Sequence, residues 1–538
     1  MTPFICALAV AASLRPQLEA VAKLPGEPAL VSAAGMTKAE DPILTIENWS
    51  AFDPGATRRR LVIVGIGNDE PGAAAVIAAV RWIKTSAPAA IKRDWIVSAL
   101  PVSPPTVELT EAQATQRWLA FQAPDLVVRV AQEVVQPGSA GLDNVEWATV
   151  PVTGTIAALQ EVLSKPRGRS PAHETLAARI RRAPLDVARL LAARYPETPS
   201  ISYIPSVSWV NTLRLGAISG DPALRQRVLD HTRPWLSGDR KMFGDRIQLT
   251  AVAGAMVFAD LSKADGGNQV AARLANEAAA LATAVKPDGI AAYGQGWTDD
   301  MFMTSSILSR TGHVDEAATL LTSYAGRLQR PDGLFNHAVD GPAAWGRGNG
   351  FAALGIVEAL TVMPARHPSR AALLEIYRRH MAAIKTQQSP DGMWRQVIDD
   401  PAAYREETAT AMLLTAMARG IRLGWIDRSY APVVDRAWRG LAAHVAADGT
   451  IIDVCTGTGS GPTHRYYFDR AAITGADDRG GAMALLASME MYEFERKSWA
   501  MRATADAPKR EGGRAREELR RLSSRRRGAN SSTAPSVR

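Results

Sequence analysis

Amphipathic helical patterns recur in pairs through the C-terminal two-thirds of the chain, and this recurrence limits the folds that the chain can adopt. Short turns that contain Gly or Pro separate the patterns, as they do at helix ends. Twelve helices in six hairpins are the number that closes an (α/α)6 barrel, and a helical solenoid is the competing arrangement. The predicted helix cores are 184–194, 207–217, 222–237, 249–262, 269–285, 298–310, 314–328, 348–362, 368–386, 406–421, 429–445 and 479–494.

The helix pairs differ from those of a uniform solenoid in two respects. They lack one fixed length, and their aromatic and polar residues gather in the connecting loops rather than along the helices. Loops that carry such residues at one end of a closed ring of helices would form the mouth of a barrel. The pattern therefore favours the barrel.

The region before the helices alternates between strand and helix patterns. Residues 60–67 form an apolar run that ends at glycine, which is typical of a strand buried on both faces. Similar strand patterns follow at 95–102 and 125–130, so a largely parallel α/β sheet is predicted. The predicted parts are a leader and extension at 1–50, a smaller α/β domain at 51–170, an all-α (α/α)6 barrel at 180–495 and a basic disordered tail at 496–538.

The net charge of +8 comes from the tail and not from the predicted domains. Residues 496–538 are rich in Arg, including Arg525, Arg526 and Arg527, and poor in apolar residues, which is typical of a solvated segment. We therefore predict no nucleic-acid partner. No apolar run approaches the ~18 residues of a membrane-spanning helix, so we predict no membrane partner either.

Two cysteines, Cys6 and Cys455, are too few for a disulfide framework or a Cys-based zinc site. Cys6 lies in a short apolar stretch, residues 3–12, that resembles the hydrophobic part of a secretory signal. The basic segment that usually precedes it is missing. We expect a periplasmic or secreted protein, and a cytoplasmic one stays open.

Three of the loops between helices combine tryptophans with polar groups suited to sugars. Trp297, Trp345 and Trp394 could stack on the apolar face of a sugar ring. His337, Arg347 and Asn349 could bind its hydroxyls or a carboxylate, and a guanidinium is the preferred bidentate partner of a carboxylate. In the alternative interpretation, the tryptophans are core residues and Arg347 bonds to backbone carbonyls.

Two adjacent aspartates, Asp299 and Asp300, begin a predicted helix after Thr298 as a possible N-cap. Acidic residues in a first helical turn are common, because they interact favourably with the helix dipole. Only one of the two can point into a barrel. Spacing alone leaves open which of them could act as a general acid.

Five segments together resemble the unsaturated glucuronyl and rhamnogalacturonyl hydrolases, glycoside hydrolase families 88 and 105. The family patterns W-x-D-x-x-F-M and L-F-x-H-x-x-D match 297–303 and 334–340. Three further patterns match 345–351, 394–400 and 454–459, with Phe351 in place of a tryptophan.

The resemblance implies an (α/α)6 barrel that acts on oligosaccharides ending in a 4,5-unsaturated uronic acid, with the rhamnogalacturonan or pectin type favoured. An aspartate protonates the double bond, and water adds to it; no metal or organic cofactor is required. Asp299 matches this acid/base, and Asp245 is the best match for a second aspartate on an earlier helix. The predicted substrate-binding residues are His337, Trp345, Arg347, Asn349, Trp394, Trp297 and Trp209.

Two departures from the family pattern leave other functions open. Arg479 stands where the family's late loop has histidine, and Phe351 lacks an indole N–H. A barrel that binds carbohydrate without catalysis is one alternative, and a hydrolase of saturated acidic glycosides is another. The sequence leaves the oligomeric state open.

A weaker resemblance concerns the loop after the first α/β strand pattern. Residues 64–72 look like the H-G-D-E-P-G loop of zinc carboxypeptidase-like hydrolases, in which His and Glu bind zinc. Glu70 matches the glutamate, but Gly67 stands at the histidine position. The resemblance therefore implies a degenerate, metal-free module rather than an active zinc amidohydrolase.

Overall fold

A computed structural model describes residues 14–53, 55–66, 70–103, 109–132, 144–264, 267–457 and 459–505. Met1–Tyr492 form one compact unit and Glu493–Arg538 a second, of which the structure describes the helical residues up to Ala505. The predicted signal-like stretch around Cys6 and the rest of the predicted tail lie outside the described residues. Within the described ranges, no helix combines the length and apolar character needed to cross a membrane.

A six-stranded mixed sheet forms the N-terminal part of the first unit. Its strands are β1 (Ala29–Met36), β2 (Pro42–Asn48), β3 (Arg59–Ile66), β4 (Trp95–Ser103), β5 (Leu126–Ala131) and β6 (Glu146–Pro151), in the order β1-β2-β4-β3-β5-β6. The strands β4, β3, β5 and β6 are parallel, whereas β1 and β2 are antiparallel to their neighbours. The helices before, between and after them are residues 14–22 (α1), Glu70–Thr85 (α2), Ala89–Asp94 (α3), Leu109–Gln122 (α4), Thr155–Ser164 (α5) and Pro171–Ile180 (α6).

The sheet begins earlier than predicted. The predicted strands correspond to β3, β4 and β5, but β1 and β2 lie in the segment 1–50, which was predicted to be a leader and extension. The physical reason is that β2 buries polar side chains, Thr45 and Glu47, among its apolar ones, so its sequence lacks a continuous apolar run. The residues from 29 to 48 therefore belong to the α/β layer.

Helices make up most of the remainder and form the (α/α)6 barrel that the sequence predicts. Each of the twelve predicted cores overlaps a helix of the structure, and the core predicted at 249–262 is divided at Ala255. The helices are α7 (Pro184–Arg194), α8 (Tyr203–Ser219), α9 (Pro222–Leu236), α10 (Leu249–Gly254), α11 (Met256–Ala264), α12 (Gln269–Ala282), α13 (Thr298–Thr311), α14 (Val314–Leu328), α15 (Gly346–Val362), α16 (Arg370–Thr386), α17 (Glu407–Leu423), α18 (Ala431–Ala443), α19 (His464–Phe468) and α20 (Asp478–Ala505). A small hairpin, β7 (Ile451–Cys455) and β8 (Ala472–Gly475), precedes α20.

Inner and outer helices of the barrel differ in their burial. The helices α13, α15 and α17 are buried almost all round, and most of their serines and threonines are inaccessible. In contrast, α14, α16 and α18 bury one apolar face each. Shared loops join the first turns of α13, α15 and α17 by backbone hydrogen bonds. The inner helices therefore begin at the same end of the barrel.

A buried ion-pair network joins the α/β layer to a barrel loop. Arg405 contacts Glu47 on β2 at 2.5 Å and Asp391 at 2.7 Å. The indole N–H of Trp118 on α4 donates to the second oxygen of Glu47 at 2.8 Å. Removing one member of such a buried pair is strongly destabilising. The α/β layer is therefore part of the support of loop 391–406.

A second buried network lies where the inner helices end, away from that loop. Glu358 on α15 contacts Arg310 on α13 at 2.5 Å and Arg419 on α17 at 2.7 Å. Burial by itself raises the pKa of Glu358, but the charges of Arg310 and Arg419 outweigh burial and hold that pKa at about 2, below the ordinary value of 4.5. Three inner helices are thereby tied together at this end.

Glu358→Gln is expected to lower the free energy of unfolding by about 3 kcal/mol at neutral pH, because it removes the negative charge that Arg310 and Arg419 share and leaves each with one carboxylate, Asp260 or Glu490. Since the pKa of Glu358 is lower in the folded state, its stabilisation is present above pH 4.5 and is lost as the pH falls towards 2. Urea unfolding at a series of pH values should show the two curves converging in acid. Exposed Glu277, in an i,i+4 pair with Arg273, is the control, and Glu277→Gln should change little. Curves for Glu358→Gln and the parent that stay parallel would contradict this account.

Candidate active site

Asp299 lies in the first turn of α13 with its two carboxylate oxygens in different surroundings. Its Oδ2 atom is 3.0 Å from the Nε2 atom of His337. Its Oδ1 atom is buried and finds no hydrogen-bond partner among the described residues. A buried polar atom without a partner is costly and calls for a functional explanation. One oxygen of Asp299 is thus held in place, and the other can react.

Asp300 has a structural role instead. Its Oδ2 atom accepts hydrogen bonds from the backbone N–H groups of Gln295 and Gly296 at 3.0 and 2.7 Å and from the hydroxyl of Tyr324 at 2.8 Å. Burial raises the pKa of Asp300 to about 6, although these hydrogen bonds act to lower it. Spacing left the choice between the two aspartates open; the contacts distinguish Asp299 as the one with an unused oxygen.

His337 connects Asp299 to a tyrosine that the sequence analysis did not assign to the site. The Nδ1 atom of His337 is 2.9 Å from the hydroxyl of Tyr467. The imidazole ring also packs against the rings of Trp297 and Trp345, with centroids 5.2 and 4.7 Å apart. Since both ring nitrogens have partners and both faces are covered, the orientation of His337 is fixed. Of the two tryptophans, Trp345 is buried and Trp297 is half-buried.

Arg347, in the first turn of α15, uses its guanidinium fork to hold a loop. It donates to the carbonyl oxygens of Cys455 and Thr456 at 2.9 and 2.7 Å. Its Nε atom is buried and has no partner in the described part of the chain. The fork is therefore not arranged as predicted, for bidentate binding of a carboxylate, because backbone carbonyls occupy it. Its positive charge remains within electrostatic range of Asp299 and Tyr203.

Arg470 is a second cation at this site, and the sequence analysis missed it. Its guanidinium carbon lies 4.8 Å from the ring centroids of Trp345 and Tyr467 and 4.9 Å from that of Tyr466. One of its N–H groups also donates to the backbone carbonyl of Gly459. The segment from 459 to 475 carries no long helical or apolar pattern, so only the folded loop brings Arg470 over these rings.

Three of the predicted substrate-binding residues are structural. The side-chain amide of Asn349 is fully used within the protein, because it accepts from the Phe335 N–H and donates to the carbonyls of Phe335 and Trp345. The indole of Trp394 is buried and donates to the carbonyl of Ile384 on α16. Trp209 packs between α8 and α9 against Trp235 and His231. These predictions are corrected because each side chain points into the packing between helices, which residue type and loop position do not reveal.

Asp245, the predicted second aspartate, lies on the irregular segment before α10 and is exposed. Among the contacts of the described residues, none joins it to Asp299, His337 or Arg347. Unlike the family's second aspartate, Asp245 does not lie on a helix, since α10 begins at Leu249, as the predicted core 249–262 has it. A catalytic role for Asp245 stays a prediction without a supporting contact.

The two departures from the family pattern have separate explanations. Phe351 is buried and packs against Phe302 and Tyr203, with ring centroids 5.9 and 5.6 Å apart, so no indole N–H is needed there. Arg479 pairs with Asp477 at 2.6 Å at the start of α20. Both residues lie beside the cluster around Asp299.

The loop that resembles a zinc-binding segment is described only in part. Glu70 is exposed at the start of α2, and Gly67 lies outside the described residues. In the part of the chain that the structure describes, no three His, Cys, Asp or Glu side chains are close enough to hold a metal ion.

The electrostatics of the site depend on the ends of the inner helices. Tyr203, Asp299, Arg347 and Glu407 all lie in first turns, of α8, α13, α15 and α17 respectively. The N-terminus of a helix carries a partial positive charge and unpaired N–H groups, so it favours anions. Several such ends around one mouth, with Arg347 and Arg470, suit an acidic ligand.

Comparisons with known proteins agree with this arrangement. The sequence profile of glycosyl hydrolase family 88 matches residues 195–495. An unsaturated rhamnogalacturonyl hydrolase of Bacillus subtilis, YesR, is 30% identical over 181 residues, which cover 30% of this chain and 50% of that protein. An unsaturated 3S-rhamnoglycuronyl hydrolase of an Alteromonas species is 30% identical over 113 residues, which cover 20% of this chain and 27% of that protein. The matches thus span half or less of these two relatives.

Solved structures share the fold of the barrel. A possible member of glycoside hydrolase family 105 from Salmonella enterica has 19% sequence identity and a TM-score of 0.53, covering 62% of this chain and 97% of that one. A family 105 glycoside hydrolase from C. acetobutylicum has 17% identity and a TM-score of 0.52, covering 57% of this chain and 99% of the other. The profile match covers more than half of the chain and includes every residue of the Asp299 cluster. The chain therefore belongs to glycosyl hydrolase family 88.

Proposed function

We propose that this protein removes a 4,5-unsaturated uronic acid from the non-reducing end of oligosaccharides that polysaccharide lyases produce. The observation that carries the proposal is the asymmetry of Asp299. His337 holds its Oδ2 atom, while the buried Oδ1 atom finds no partner in the described ranges. A general acid/base needs one atom that is oriented and one that can exchange a proton.

The proposed reaction is hydration of the double bond, and one carboxyl group suffices for it. Asp299 donates its proton through Oδ1 to C4 of the enol ether, which leaves a cationic C5. A water molecule adds to C5 and returns a proton to Asp299. The hemiketal that forms opens, and the remaining oligosaccharide leaves. The rule that relates carboxylate separation to retention or inversion does not apply, because the anomeric carbon is not displaced directly.

The site offers two kinds of contact to an unsaturated uronic acid. The half-buried ring of Trp297, next to His337, can stack on the sugar. Arg470 and the positive ends of the inner helices favour the sugar carboxylate. We infer a substrate of the rhamnogalacturonan or pectin type, because the names of two relatives refer to rhamnose-linked unsaturated uronic acids.

Asp299→Asn should lower kcat by about 10³-fold or more, because an amide cannot donate the proton to C4. The measurement is the loss of ultraviolet absorbance of the unsaturated uronate in lyase digests of rhamnogalacturonan, pectin and glycosaminoglycans. Asp186→Asn is the matched control and should have little effect, since Asp186 is exposed on α7 and pairs with Arg189.

Other outcomes of this assay discriminate between the alternatives. A loss in Asp245→Asn as large as in Asp299→Asn would restore the predicted role of Asp245. If the folded wild-type protein leaves every digest unchanged, hydration is wrong. Saturated acidic glycosides, and then binding without catalysis, would be tested next.

Tyr467→Phe should lower kcat by about 10-fold, because it removes the hydrogen bond that orients His337. His337→Ala should lower it by about 100-fold, because Asp299 then loses its partner. Since Tyr467 acts through His337, the double variant should be no worse than His337→Ala alone. Tyr466→Phe, at the neighbouring exposed tyrosine, is the control. Additive losses in the double variant would contradict the connection.

Arg470→Met should raise KM for an acidic disaccharide by about 10-fold and change kcat less, because it removes a charge that binds the substrate and its transition state alike. Arg465→Met, on the nearby helix α19, serves as the control, since Arg465 pairs with Asp469 instead. Steady-state kinetics at low and high salt provide the measurement, and an unchanged KM would show that Arg470 only packs on the rings.

A further inference from the structure

Glu407 is a buried carboxyl group that the proposed reaction does not use. It occupies the first position of α17, its side chain is inaccessible, and neither of its oxygens has a hydrogen-bond partner among the described residues. Its neighbour Glu406 differs in this respect, because it caps α17 at the Ala409 N–H and accepts from the Cys455 N–H at 2.8 Å. Glu406 therefore has a structural role that Glu407 lacks.

Glu407 lies beside strand β7, whose last residue, Cys455, accepts a hydrogen bond from Arg347. The Oε2 atom of Glu407 packs against the first turn of α20, where a Cβ atom on Gly480 would lie only 3.1 Å away, among the side chains of Val454 and Ile451. The charges that act on Glu407 come from Glu406, the N-cap of α17, from Asp477 just before α20 and from Arg347 on α15. Arg347 acts in turn on Asp299.

Of the three groups whose charges act on Glu407, two are acidic, Glu406 and Asp477, and one is the cation Arg347. Burial raises the pKa of Glu407 well above its ordinary value, Glu406 and Asp477 raise it further, and Arg347 alone lowers it. An ionised Glu407 would add a buried negative charge without a hydrogen bond, which is costly. It would also offset the charge of Arg347, which helps to favour an acidic ligand.

We propose that Glu407 is a positioning residue of this site, a neutral acid whose ionisation weakens the binding of the acidic sugar. Glu407 occupies space beside Arg347 without cancelling its charge. When Glu407 loses its proton, the field at the mouth becomes less positive and the affinity for a uronate falls. This inference rests on the proposed function in so far as the ligand is a uronic acid.

The test compares wild type, Glu407→Gln and Glu407→Asp by calorimetric titration from neutral to alkaline pH. The ligands are an unsaturated disaccharide, bound to the Asp299→Asn form of each protein, and a saturated galacturonate disaccharide. Wild type should lose affinity by about 10-fold as Glu407 ionises. Glu407→Gln should bind equally at both ends of the range, whereas Glu407→Asp should keep a loss. Glu358→Gln, the same change at the other end of the barrel, should behave as wild type does.

A second measurement needs no ligand. The infrared C=O band of a protonated carboxyl group should be present in wild type at neutral pH. Glu407→Gln should lose this band. If this band is missing from wild type, or if Glu407→Gln keeps the alkaline loss of affinity, the inference is wrong. If both acidic sugars bind but wild type does not hydrate the unsaturated disaccharide, the proposed function fails while the inference on Glu407 stands. If neither sugar binds, both fail.

Discussion

The structure depends on the parallel packing of helices that are buried on all sides. α13, α15 and α17 bury nearly every residue of their first three turns, so they can exist only inside a ring of outer helices. This packing brings their N-termini to one end of the barrel. Each N-terminus has unpaired N–H groups and a partial positive charge, and the residues beside them are the ones that can hold or exchange a proton.

The buried polar groups of the site fall into two kinds. Some use their hydrogen bonds to hold the backbone, and others keep atoms without a hydrogen-bond partner among the described residues. Asp300, Glu406 and Asn349 have their hydrogen bonds within the protein and fix loops and helix starts. Asp299 and Glu407, adjacent in sequence to two of them, keep oxygens without partners among the described residues. In each acidic pair, one carboxyl group supports the backbone and the other is available for chemistry or for electrostatic control.

The α/β layer supports a loop of the site through buried ion pairs. Glu47 on β2 fixes Arg405, and Arg405 fixes Asp391 in the loop that ends at α17. The same loop pairs with the segment before α15, because the N–H of Gly346 donates to the carbonyl of Gln396 at 2.7 Å. The loop is thus tied to the α/β layer.

The sequence by itself determined the helices, the presence of strands β3 to β5 and the family motifs. Helix and strand periodicity are local properties, and the motifs that contain Asp299 and His337 are contiguous. Only the tertiary structure showed the different contacts of Asp299 and Asp300 and the packing of Trp209, Trp394 and Asn349, and brought Tyr467 and Arg470 to the site. These facts depend on which direction a side chain points once distant segments meet. That direction follows from packing and from hydrogen bonds across more than a hundred residues, such as the one between His337 and Tyr467, and no local pattern encodes it.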